Sequence, residues 1–206
     1  MITRRSTSRP VQVRADGDQK RIEGYAVVFY DEANADGTQY ELWPGTFERV
    51  MPGCVIRTND LMGFWNHDMS KILGRESAQT LEFNIDSVGL RYSILVGNST
   101  HALDALDCVQ RGDVRGSSFG FRTIKEAWTN KDDGGEIREL MEMEVVEVSP
   151  TPLPAYSGTS AASRWKDDAD LIKLRSQREE FHARQQLEAY KDRQRRLHAD
   201  MLIRGI

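Results

Sequence analysis

Two short segments carry residue types that could act together on a peptide bond. Asn66-His67-Asp68 ends the apolar run Leu61 to Trp65, and Gly116-Ser117-Ser118-Phe119-Gly120-Phe121 sets hydroxyls beside glycines. A histidine, with an unperturbed pKa of about 6.5, can take a serine proton near neutral pH, and the serine oxygen can then attack a carbonyl. Such a pair needs a third group, usually a carboxylate, to hold the imidazole in one tautomer and to stabilise its charged form. The strand-like run Glu142-Met143-Glu144-Val145-Val146-Glu147-Val148-Ser149 offers Glu142, Glu144 and Glu147.

Each residue alone has a blander explanation. His67 could be a satisfied imidazole at a strand end, serine beside glycine is common in turns, and glutamates along a strand can simply face water. Of the other histidines, His101 starts a predicted helix and His182 and His198 lie in a charged tail, which makes them surface residues. Phe119, Phe121 and Ile124 make the serine segment strand-like, so strand register decides which of Ser117 and Ser118 faces His67. The absence of Gly-x-Ser-x-Gly argues against an α/β-hydrolase elbow. Alternation puts Glu142 and Glu144 on one face and Glu147 on the other unless a bulge intervenes. Asp68 would point away from its neighbour His67, and a metal site built on His67, Asp68 and a glutamate lacks a second histidine at suitable spacing.

The elements that must position these groups read as β-rich. Predicted strands are Glu23 to Tyr30, Leu61 to Asn66, Leu81 to Ile85, Gly89 to Val96, Val114 to Ile124 and Ile137 to Ser149, with Asp86-Ser87-Val88-Gly89 as a hairpin turn. A helix is predicted over Thr100 to Arg111, with Leu103, Leu106 and Val109 at helical spacing, a Ser99 or Thr100 cap and Gly112 as its stop. Pro44 to Val50 reads as a shorter helix capped by Thr46 and stopped by Pro52, and the prolines of Pro150-Thr151-Pro152-Leu153-Pro154 should end the last strand.

With 206 residues, the chain is long enough for one core and an appendage. It is 39% hydrophobic and 29% charged, has no apolar run near the ~20 residues of a membrane span, and shows no secretory signal in Met1 to Arg14. Cys54 and Cys108 are too few for a disulfide scaffold and read as small apolar residues. The net charge of −4 argues against a direct nucleic-acid binder, although it divides into −6 for residues 1–165 and +2 for 166–206. The expected organisation is a folded region over 1–156, a polar linker over 157–165 and a charged tail over 166–206. Asp167 to Arg204 reads as a long helix, solvated or folded only with a partner, whose apolar residues from Leu171 to Met201 fall into two heptad-like blocks.

Taken together, several stretches resemble the prohead maturation proteases of tailed bacteriophages, the HK97-type family distantly related to the herpesvirus assemblins. They are Arg21 to Phe29, Pro44 to Phe47, Trp65 to Asp68, Ile72 to Arg75, Gly89 to Tyr92, Arg111 to Val114, Ser118 to Arg122 and Glu147 to Tyr156, and they occur in family order. The resemblance implies a mainly β fold, a closed antiparallel β-barrel with peripheral α-helices. It also implies a serine endopeptidase with His67 as base and Ser118 as nucleophile. Assemblin-like enzymes use a second histidine as third member, but none lies between His101 and His182 here, so the family position falls to Glu147, with Glu144 in reserve. The implied substrates are scaffold, the scaffold-like segment of the major capsid protein, and the protease itself, cut inside the immature capsid in the host cytoplasm. No cofactor or metal is implied, and no membrane or nucleic-acid partner. Assemblin relatives dimerise through helices, which makes a homodimer one option. A catalytically idle assembly protein that binds capsid or scaffold through the tail is the alternative from another class.

Overall fold

The computed structural model describes residues 2–7, 9–17, 19–31, 39–132, 134–152 and 168–204. The chain divides into two compact units, residues 1–162 and 163–206. The predicted linker 157–165 lies outside the described residues.

Among its described residues, the first unit has ten strands and one helix: β1 (Thr3–Thr7), β2 (Gln12–Asp16), β3 (Gln19–Val28), β4 (Gln39–Trp43), β5 (Thr46–Trp65), β6 (Asp68–Arg75), β7 (Leu81–Ile85), β8 (Gly89–Leu95), α1 (Thr100–Gln110), β9 (Gly116–Asn130) and β10 (Glu136–Thr151). One sheet runs β1-β9-β10-β5-β4, with β6 also paired to β5, and the other runs β2-β3-β8-β7. Residues from both sheets and from α1 share one core, in which Ile22, Leu61, Leu90, Tyr92, Phe119, Phe121, Leu140 and Val145 are fully buried.

Among the described residues the expected closed antiparallel barrel does not form, because neither sheet pairs its first strand with its last. Nor is the pairing wholly antiparallel: β10 lies parallel to β5. The edges of the larger sheet are nevertheless joined by side chains. The Tyr40 hydroxyl on β4 donates to the Ser6 carbonyl on β1, and Arg5 Nε donates to Glu48 on β5 at 2.7 Å. Lateral bonds of this kind fix two edges without a ladder of backbone bonds.

The long strands bend through bulges. Along β10, the register against β9 shifts between Val145 and Glu147, leaving Val146 as the extra residue. Against β5 it jumps from Leu140 opposite Val50 to Glu142 opposite Val55, and the skipped stretch contains Pro52 and Gly53. The predicted helix over Pro44 to Val50 is therefore the start of β5. Pro44-Gly45 is the turn of the β4–β5 hairpin, and Thr46, Glu48 and Val50 are buried while Phe47 and Arg49 are only half-buried. That is a period of two, not of 3.6. Pro150 also belongs to β10, opposite Ser117, and its carbonyl accepts the Asn66 N–H at 3.2 Å. A proline this near the strand end removes only one ladder donor, although β10 is a central strand between β9 and β5.

Helix α1 falls where it is predicted, with Ala102, Ala105, Leu106 and Val109 facing the core, but Leu103, expected on the same apolar stripe, is exposed. Ser99 occupies the N-cap position without a side-chain cap bond, and His101 Nε2 reaches the Ile72 carbonyl on β6 at 2.8 Å. In the second unit, α2 spans Asp168–Arg204. Ion pairs three or four residues apart, such as Glu188 with Lys191 and Asp192 with Arg195, run along it, and they add a few tenths of a kcal/mol each.

Candidate active site

His67 sits at the tip of the β5–β6 hairpin. Trp65 pairs with Asp68, so the loop is the two residues Asn66 and His67, with φ of 51° and 64°. Two-residue hairpin loops of the type that matches strand twist need positive φ at both positions, which asparagine tolerates and histidine does not favour. The backbone thus bears a cost of order 1 kcal/mol to present an imidazole where glycine would be easier.

Behind the imidazole lies Glu147. His67 Nδ1 and Glu147 Oε1 are 2.6 Å apart. The carboxylate accepts, so Nδ1 carries the hydrogen and Nε2 keeps its lone pair, the form that a general base requires. Ser149 completes the support: its hydroxyl donates to Glu147 Oε2 at 2.8 Å and accepts the His67 backbone N–H at 3.2 Å. Glu147 and His67 are both largely shielded from water, which strengthens a charge-assisted bond. Arg4 Nε stands 3.7 Å from Glu147 Oε1, near enough for attraction but too far for a hydrogen bond.

The bulge at Val146 is what turns Glu147 toward this site. Val145 is opposite Phe121 and faces the core, so without the extra residue Glu147 would face the core as well. With it, Glu147 lies opposite Gly120 and Ser149 opposite Ser118. A Cβ on Gly120 would stand 2.7 Å from Glu147 Oε1 and 3.0 Å from its Cγ, which accounts for glycine at this position.

Register also separates the two serines. Ser118 shares a face with Gly120 and hence with Glu147 and Ser149 across the ladder, whereas Ser117 shares the core face with Phe119 and Phe121. Ser117 Oγ bonds the Tyr92 hydroxyl at 2.8 Å, and a Cβ on Gly24 of β3 would come within 2.9 Å of it. This packing is structural. Ser118 Oγ instead donates to the Arg5 carbonyl of β1 at 2.8 Å. Among the described residues no hydrogen bond joins it to His67, so the serine proton is committed to β1.

The other candidate acids are engaged elsewhere. Glu144 pairs with Arg122 at 2.8 Å and Glu142 with Arg57. Asp68 accepts from the Ser70 N–H and hydroxyl, bonds that hold its carboxyl below the ordinary aspartate range. Among the described residues no group of three His, Cys, Asp or Glu side chains could hold a metal ion. Sequence reasoning missed Ser149, although its place two residues after Glu147 was a signal, and it missed Arg4 and Arg5.

Chemically, an imidazole oriented by a buried carboxylate, with the buried Ser118 hydroxyl on the same face of the sheet as that carboxylate, can accept a proton and support acyl transfer. The comparisons with known proteins point the same way. A prohead protease of Enterobacteria phage HK97 is 27% identical over 153 residues, covering 73% of this chain and 64% of that protein. The chain thus spans less than two thirds of that relative's length. No solved structure matches it. The family described as caudovirus prohead serine protease matches residues 9–171, a stretch that includes His67, Ser118, Glu147 and Ser149. By that match, over most of its length, the chain belongs to the caudovirus prohead serine proteases.

Proposed function

We propose that this protein is a serine endopeptidase that matures phage proheads, with Ser118 as nucleophile, His67 as general base and Glu147 as the carboxylate that orients His67. The observation that carries the reading is the 2.6 Å contact between His67 Nδ1 and Glu147, which leaves Nε2 free to take a proton. His67 removes the Ser118 proton as Ser118 Oγ attacks the scissile carbonyl. The imidazolium then passes that proton to the leaving amine, and water, deprotonated by the same imidazole, releases the acyl group. Glu147 stays ionised throughout and stabilises the charged ring.

The substrates in this reading are scaffold, the scaffold-like segment of the major capsid protein, and the chain itself, cut inside the immature capsid. The linker 157–165 and the tail offer sites for self-cleavage, and a helical tail suits docking to capsid or scaffold. Among the described residues no helix is long and apolar enough to cross a membrane.

The test is to treat the full chain with a serine-directed fluorophosphonate and map the adduct by mass spectrometry. Modification at Ser118, with loss of capsid-protein processing on co-expression, is the expected result. Intact processing after complete modification, or modification at Ser117, would overturn it. For the carboxylate, Glu147→Gln keeps the shape but removes the charge and permits the wrong tautomer, so kcat should fall by about 10⁴-fold with unchanged near-UV circular dichroism. Near-normal turnover would remove Glu147 from the mechanism.

A further inference from the structure

Strand β1 lies along the part of β9 that carries Ser118. It pairs antiparallel, Thr3 opposite Phe121 through Thr7 opposite Ser117, and its Arg5 carbonyl accepts the Ser118 hydroxyl at 2.8 Å. The family match begins at residue 9, after this strand. An extended chain laid on a sheet edge, with one carbonyl against the nucleophile, is the arrangement by which a peptide substrate docks as an added strand.

The side chain of Arg5 has a specific berth. Its Nε donates to Glu48 Oε1 at 2.7 Å, and its guanidinium lies 5.1 Å from the centre of the Tyr40 ring. Glu48 is fully buried and also accepts from Arg138, whose guanidinium bonds Glu126. Burial alone would raise the Glu48 carboxyl, but Arg5 and Arg138 outweigh it and hold the group below the ordinary range. With Arg5 in place, two guanidiniums balance two carboxylates. Without it the cluster carries one uncompensated buried negative charge, which is costly. The berth therefore selects a cation, and an acidic or apolar residue would leave that charge unpaired.

Resting on the assignment of Ser118 as nucleophile, we infer that β1 occupies the substrate-docking edge of β9, and that the berth formed by Glu48 and Tyr40 is the subsite for an arginine or lysine whose carbonyl is attacked. In the resting chain β1 competes with substrate. It is held as a bound strand and not cut, because Ser118 gives its hydrogen to the Arg5 carbonyl oxygen in place of attacking the carbonyl carbon. Arg5 is thus a positioning residue for an inhibitory strand, and Glu48 and Tyr40 set specificity.

The experiment uses the full chain, a pool of quenched eight-residue peptides varied at every position, and mass spectrometry of the products. Cleavage after arginine or lysine should exceed cleavage after aspartate or glutamate by about 100-fold, the consequence of like charge beside Glu48. Arg5→Ala loosens β1, and so does Tyr40→Phe, which keeps the ring and the ion cluster but removes the bond to the Ser6 carbonyl. Each should raise kcat/KM on the best peptide about tenfold, mainly through KM, and speed fluorophosphonate labelling of Ser118, since the competent population grows. Should Arg5→Ala fail to fold, Tyr40→Phe decides. Unchanged or lower kcat/KM in folded variants, or products without basic preference, overturns the inference alone if Ser118→Ala still abolishes cleavage. Cleavage that survives Ser118→Ala, or no cleavage and no labelling by any of the chains, overturns the nucleophile assignment as well.

Discussion

Ser118→Ala should lower peptide hydrolysis by about 10⁶-fold, the loss seen when a serine nucleophile acting as one unit with its base is removed. The fold should survive the change. Ser118 is buried, but its hydroxyl makes one bond, to the Arg5 carbonyl, and losing such a bond costs about 1 kcal/mol. The small volume change and the strand context argue against a larger effect. Ser117→Ala is the instructive control: it removes the bond to the Tyr92 hydroxyl inside the core, so it should cost stability and leave kcat within a few-fold. Processing of co-expressed capsid protein and kcat on a peptide substrate are the measurements, with thermal melts alongside. If Ser117→Ala abolished turnover in a folded chain while Ser118→Ala did not, the register argument that separates the two serines would fail. If both variants processed capsid protein normally, the idle assembly protein would become the better reading.

That pair of outcomes turns on a feature only partly legible in the sequence. Alternation says that Ser117 and Ser118 face opposite ways, but not which of them shares a face with the residues that hold His67. The answer comes from β10, where Ser149 lies opposite Ser118 and bonds the His67 backbone. Likewise the choice of Glu147 over Glu144 depends on the bulge at Val146. Nothing in Glu-Val-Val-Glu-Val announces that bulge, because it arises from fitting β10 between β9 on one side and the bent β5 on the other.

The larger errors have related causes. Strand β1 carries Thr-Arg-Arg-Ser-Thr, which lacks the apolar alternation that marks a strand, and its partner β9 lies far along the chain; β2, Gln-Val-Arg-Ala-Asp, does alternate, but only through Val13 and Ala15 over five residues, and its partner β3 follows across a turn. Thr46-Phe47-Glu48-Arg49-Val50 reads as helical because Thr46 offers a cap and Pro52 a stop. Glu48 is in fact among the most buried groups in the chain, and its charge is met by Arg5 and Arg138, contacts over 43 and 90 residues that no local pattern contains. The hairpin at Asp86 to Gly89 and helix α1 were legible because their signals are local: turn residues, caps and a periodic apolar face. The parallel β10–β5 pairing was the least legible, since it joins strands separated by five other elements.

His67→Gly should be as inactive as Ser118→Ala, down about 10⁶-fold, yet keep a sound hairpin. Two effects on stability oppose each other. The substitution removes a bond to a carboxylate, worth about 1.5–3 kcal/mol, while glycine relieves the positive φ of 64°, returning about 1–2 kcal/mol. Glu147 retains the Ser149 hydroxyl and the nearby Arg4, so its charge is not left bare. The net change is therefore small. His67→Ala loses the same bond and keeps the strain, so it should melt below His67→Gly by the equivalent of about 1 kcal/mol. This ordering is the reverse of the usual rule that glycine is the less stable choice, and it follows from the positive φ of His67. Added imidazole should restore part of the activity to His67→Gly, because the vacated space beside Glu147 can admit the free base. It should not restore Ser118→Ala. Rescue with that selectivity ties the lost rate to the base and not to folding. Full activity of His67→Gly without imidazole would end its assignment as the base.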